Sequence, residues 1–170
     1  PKILVLTILM FMGNFCLAQI KYSAKFEFSF QKYGFRTITY EAGPNWQGYN
    51  LKEKPNGLNI NITNGISLAK NRIFIGLGLA YHNFEGINGL SVLGDLEYIP
   101  LKTQLSPLIN FKLGYNHIWN QYSGGTGTPY GEYLIGVNYA INKKLALYLK
   151  SGILFTQEAL FIPISLGLRI

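Results

Sequence analysis

Two histidines, His82 and His117, and one cysteine, Cys16, are the only imidazole and thiol groups in this chain of 170 residues. A metal centre needs several His, Cys, Asp or Glu ligands at close spacing, and the sequence offers no such grouping. His117 lies between Tyr115 and Trp119 and reads as an amphipathic interfacial residue. His82 closes an alternating segment and reads as a solvated rim residue. A lipid-modifying site on a strand wall would set a serine beside a histidine. The run "NHIWN", residues 116–120, has no serine two positions on. The glycine-rich "YSGGTG", residues 122–127, lacks the following Lys-Ser/Thr and the helix of a phosphate cradle. The glycines of "GLGLAY", residues 76–81, lack the helix a dinucleotide fingerprint requires. No residue is therefore assigned a catalytic, cofactor-binding or metal-binding role.

Charge is the remaining chemistry. The chain carries 15 Lys+Arg against 8 Asp+Glu. The basic residues are scattered in runs of no more than two, which argues against a nucleic-acid partner. Within the alternating segments, Glu41, Asp95, Glu97, Lys112, Glu132, Lys150 and Arg169 fall on the polar face. Four negative against three positive groups suggest an ionic network between facing side chains, and Asp95 and Lys112 meet if the chain folds about Pro100–Leu105. The connecting segments Ala69–Arg72, Pro100–Leu105 and Asn142–Lys144 carry lysines and arginine without acid, which suits anionic phospholipid headgroups.

The elements that must position these groups are strands. No window after residue 18 shows a convincing helical period. Segments of period two recur at Arg36–Trp46, Leu58–Leu68, Ile73–His82, Leu90–Ile99, Pro107–Trp119, Gly131–Ile141, Leu145–Phe155 and Leu160–Ile170. One face of each carries large apolar residues, and the other is polar or small. Apolar-outside alternation over about ten residues is the pattern of a transmembrane barrel wall. Backbone groups in lipid must all be paired, so strands cross a membrane only as a closed barrel. The connections alternate short and long, as in outer-membrane barrels. The outward aromatics Trp46, Tyr81, Tyr115, Trp119 and Tyr133 fall towards the long-loop rim. Tyr98 and Tyr139 fall towards the other, which suggests two interfacial girdles. Pro163 removes a ladder donor, so a bulge or early strand end is expected there.

The stretch "KYSAKFEFSF", residues 21–30, also alternates, with Tyr22, Ala24, Phe26, Phe28 and Phe30 on one face. Counting it gives nine strands, whereas bacterial single-chain barrels have even counts. Residues 19–34 are therefore read as an N-terminal extension or extra strand, and 35–170 as the barrel. Ten strands are the alternative, if "WQGYNLKE" hides another. Ahead of it, Lys2, the apolar run Ile3–Met12 and Cys16-Leu17-Ala18 read as a signal peptide over residues 1–18, cleaved after Ala18.

The leader, the alternating segments and the terminal "LFIPISLGLRI" together resemble the small porin-like outer-membrane β-barrels of the OmpA/OmpX type. The run "NGLNINITNGISLAKNRIFIGLGLAYHNFEG" and the Lys143-Lys144 turn resemble the form abundant in Bacteroidota. The resemblance implies an all-β, up-and-down antiparallel barrel in a Gram-negative outer membrane, in contact with lipid and lipopolysaccharide. It implies no shared chemical activity. The expected function is non-enzymatic: a structural, accessory or surface-interaction component acting through its loops, with another outer-membrane or periplasmic protein as partner. The alternative is a small transport or ligand-binding barrel.

Overall fold

A computed structural model describes residues 20–36, 43–46, 56–84, 86–119, 122–157 and 159–170. The leader over 1–18 lies outside the described residues, and so does most of the expected strand Arg36–Trp46, including Glu41. Among the described residues there is no helix. Eight antiparallel strands form one closed barrel: β1 Lys21–Arg36, β2 Asn56–Leu68, β3 Ile73–Phe84, β4 Ile87–Tyr98, β5 Leu105–Ile118, β6 Thr126–Ala140, β7 Ala146–Thr156 and β8 Ala159–Arg169.

The expected count holds, but its membership changes. "KYSAKFEFSF" is not an extension. It forms most of β1 and pairs with β2 from Lys21↔Ser67 to Lys32↔Asn56. It also pairs with β8 from Lys25↔Arg169 to Arg36↔Ala159. The barrel thus begins at Lys21, fourteen residues before the boundary read from the sequence, and the wall position assigned to Arg36–Trp46 is taken by β1. Burial decides between the two. On β1 the phenylalanines face outward while Ser23, Lys25, Glu27, Ser29 and Gln31 are buried inside. The ten-strand alternative falls with the same closure.

Every strand keeps the inside-out alternation of a membrane wall. Leu77 on β3 is 74% exposed, and its neighbours Gly76 and Gly78 are buried. Connections at one end span 69–72, 99–104 and 141–145; the opposite end holds 37–55, 85–86, 119–125 and 157–158. Because the strand count is even, β1 starts and β8 ends at the first of these ends. There Ala24 and Ile170 exchange both backbone hydrogen bonds, at 3.0 and 2.9 Å.

Pro163 neither ends β8 nor shifts its register. It opens a gap in the β7–β8 ladder between the pairs Ser151↔Ile164 and Leu154↔Phe161, and the same register resumes beyond it. The irregularity in β8's other seam lies at Tyr33/Phe35.

The lumen is filled in layers. At the long-loop end Phe84, Ile87, Ile118, Tyr130, Leu154 and Phe161 form an apolar cap, with Tyr33 against it. Ile99, Leu108 and Tyr148 form a smaller cluster towards the short-turn end. The inner face is therefore richer in large side chains than its polar, small-residue pattern suggested. Rings such as Phe74 fit because Gly76 beside them has no side chain: a Cβ there would lie 2.7 Å from Phe74 Cζ.

Candidate functional site

Between the two apolar clusters lies a layer of charge. β1 contributes Lys25 and Glu27, β4 Asp95 and Glu97, and β5 to β8 one group each: Lys112, Glu132, Lys150 and Arg169. Each points inward because it occupies the inner phase of a period-two strand. Lys25 Nζ lies 2.7 Å from Asp95 and 2.9 Å from Glu97. Lys112 binds Glu27 and, at 2.7 Å, Glu132. Lys150 pairs with Glu27, and Arg169 Nη1 lies 2.8 Å from Glu97. Asn110 stitches the layer together. Its amide nitrogen donates to Asp95 Oδ1 at 2.5 Å, and its oxygen accepts from Lys150 at 2.7 Å.

All eight ionic groups are buried, and four acids meet four bases. Isolated charges in such a place would be very costly, so the balance is what makes the burial tolerable. Lys25 Nζ also sits 4.7 Å from the centre of the Phe74 ring, a cation–π contact that shields it from below.

The structure brings Asp95, Glu97, Lys112, Glu132, Lys150 and Arg169 into this one layer, whereas Glu41 lies outside the described residues. Two members, Lys25 and Glu27, escape the sequence reading, which sets their strand apart as an extension. The signal was there: both stand on the polar face of "KYSAKFEFSF". The expected Asp95–Lys112 ion pair is replaced. These residues do face each other in the β4–β5 register. Lys112 instead turns to Glu27 and Glu132, and Asp95 takes Lys25.

His82 corrects another expectation. It is not at a solvated rim but wholly buried beneath the cap. Its Nε2 lies 2.7 Å from Ser91 Oγ and its Nδ1 3.0 Å from Asn59 Nδ2. The ring stacks on Phe84 at 5.8 Å. The imidazole–hydroxyl contact has the atoms of a nucleophilic pair, but both residues are 0% exposed, so no substrate reaches them. His117 is half-buried at the wall, its ring 5.0 Å from Trp119. Among the described residues no group of three or more His, Cys, Asp or Glu could hold a metal ion.

Of the outward aromatics, Tyr81, Tyr98, Tyr115, Trp119, Tyr133 and Tyr139 are exposed on the outer face. Tyr98 and Tyr139 adjoin the short turns, where the Tyr139 hydroxyl accepts from Gln104 at 2.9 Å. Tyr133 stands midway along β6 rather than near a rim. Trp46 is not on the wall. It lies in the β1–β2 connection, bridged to Tyr122, with ring centres 5.2 Å apart.

A closed barrel of eight antiparallel strands, apolar outside and plugged inside, is the fold of the small outer-membrane β-barrels. Among solved structures the chain is similar to a Neisserial surface protein A, NspA, with a TM-score of 0.65. The identity is 12%, over 89% of this chain and 97% of that one. It is also similar to the N-terminal β-barrel domain of Pseudomonas aeruginosa OprF. There the TM-score is 0.55 at 12% identity, over 89% of this chain and all of that one. No family model matches the sequence, and no curated protein matches it either. The likeness is one of fold.

Proposed function

We propose that this protein is a non-enzymatic β-barrel of a Gram-negative outer membrane whose lumen is closed. In this reading it serves as a structural, accessory or surface-interaction component through the connections at its long-loop end. The observation that carries this reading is the charge layer: eight buried ionic groups satisfy one another and leave no one-signed ring to select a passing ion. Eight strands leave room for little more than interior side chains. The outward face of the strands is dominated by large apolar residues, which suits contact with lipid and, in the outer leaflet, lipopolysaccharide. The solved structures of like fold are outer-membrane and surface proteins. Export would use the leader over residues 1–18.

Reconstitution of the purified chain in planar bilayers tests the closed lumen. The expected record shows no steady conductance. A stable open channel whose ion selectivity changes on Lys112→Met would overturn the proposal and favour porin-like transport. Fractionation of expressing cells tests the location, and N-terminal sequencing of the membrane form, expected to begin at Gln19, tests the leader.

A further inference from the structure

The short-turn end opens into a bowl of about 780 Å³. Its rim is a ring of lysines. The start of β1 and each of the three turns at this end supply at least one: Lys21 at the start of β1, Lys70 between β2 and β3, Lys102 between β4 and β5, and Lys143 and Lys144 between β6 and β7. Arg72 adds a guanidinium, anchored to the backbone oxygens of Ile99 and Pro100. Its floor includes Arg169, which stands between the bowl and Glu97. No acid lines the bowl.

None of the five lysines makes an ion pair among the described residues. The four described acids are all spent within the lumen layer. The other four in the sequence, Glu41, Glu53, Glu85 and Glu158, lie outside the described residues. Among the described residues no acidic side chain lies against this ring of lysines, and a concave low-dielectric wall concentrates its field. Ser67 adds a hydroxyl along the wall, while those of Ser23 and Thr103 already donate to the carbonyls of Ile170 and Leu105. A single carboxylate would leave most of this charge unmet. An anion with several charges and several acceptor oxygens matches it, and phosphate groups have both.

We infer that the short-turn mouth is a binding site for a multivalent phosphate-bearing anion. Two sources share that chemistry: the headgroup of an anionic phospholipid and a soluble oligophosphate. The headgroup source rests on the outer-membrane reading; the anion site does not.

The test uses the full chain in nanodiscs, with inorganic tripolyphosphate as probe and calorimetry as readout. In phosphatidylcholine discs the expected result is saturable binding of one tripolyphosphate, weakened by added salt. The combined substitution Lys70→Gln, Lys143→Gln and Lys144→Gln should weaken binding about tenfold or more, since three charge contacts are lost. Lys32→Gln, an exposed position on β1 away from this mouth, should leave it unchanged. Unchanged barrel melting temperatures would show that the triple variant still folds. Absence of saturable binding at low salt would overturn the site. So would equal weakening by the triple variant and by Lys32→Gln. Discs containing cardiolipin, whose headgroup carries two phosphates, separate the sources: tripolyphosphate affinity falls if headgroups occupy the bowl and holds if the site takes soluble phosphates. Bilayer insertion is read independently by disc assembly, so loss of the membrane reading would not be confused with loss of the site.

Discussion

Gln31 on β1 stands opposite Pro163 on β8 across the seam that closes the barrel. The Gln31 side chain is wholly buried, and neither its oxygen nor its nitrogen has a hydrogen-bond partner among the described residues. A proline has no backbone N–H to offer, and the neighbouring β7–β8 ladder is already open at that level. A buried amide without partners costs stability, while an apolar side chain of similar shape would not. Gln31→Met is therefore expected to raise stability by about 1 kcal/mol. Urea unfolding in detergent or lipid vesicles measures it. A loss of stability would mean that the amide is satisfied in a way the fold does not show.

The ion layer makes a sharper prediction. Lys112→Met strands Glu132, whose only ion partner among the described residues is Lys112, and leaves Glu27 with Lys150 alone. Breaking a buried pair costs on the order of 3–5 kcal/mol. Rescue should come from Glu132→Gln in the double variant, and Asp95→Asn should give little, because Asp95 leans on Lys25. Equal rescue by both would show that the layer behaves as a diffuse field rather than as directed pairs.

The glycine pair Gly65↔Gly76 marks a close approach of β2 and β3. A Cβ at Gly65 would run into the carbonyl oxygen of Ile75 and the Cα of Gly76, which are backbone atoms that cannot swing aside. Gly65→Ala should cost about 1–3 kcal/mol, as overpacking does. Heat-modifiable mobility on gels and urea midpoints would register it. Wild-type behaviour would imply that the two strands can separate at this point.

Topology is open to chemical labelling. In a Cys16→Ser background, a cysteine at Ser123 should react with an impermeant reagent on intact cells, and one at Asn142 should not. Both positions are exposed and belong to opposite ends of the barrel. The reverse pattern would invert the molecule in the membrane and place the lysine-rimmed bowl outside.

Strand positions were the most legible part of the sequence. The alternation at Leu58–Leu68 or Ile73–His82 can bury only one face, so β2 and β3 fall where the pattern puts them. At β1 the parity rule faces two candidate first strands, residues 21–30 and Arg36–Trp46. Both alternate, and only pairing with β2 and β8 chooses between them. Ion partners were less legible still. Asp95 faces Lys112 along the sheet, but its partner Lys25 comes from β1, and that meeting depends on strand tilt and stagger around the whole barrel. His82 looked like a rim residue because it is polar and near a strand end. Phe84, which stacks on it, stands two residues along the same strand, but Tyr130 of β6 is brought over it only by closure.

The seam between β1 and β8 also sets the order of assembly. Hydrogen bonds such as those joining Ala24 and Ile170 unite the first described strand with the last, so closure waits until β8 is available. Contacts this distant along a chain make for slow folding. Until they form, the chain carries two open strand edges and an apolar outer surface, a combination prone to aggregation in water. The same seam that abolishes edges in the finished barrel thus gives its precursor a vulnerable interval, which lasts until the last strand docks.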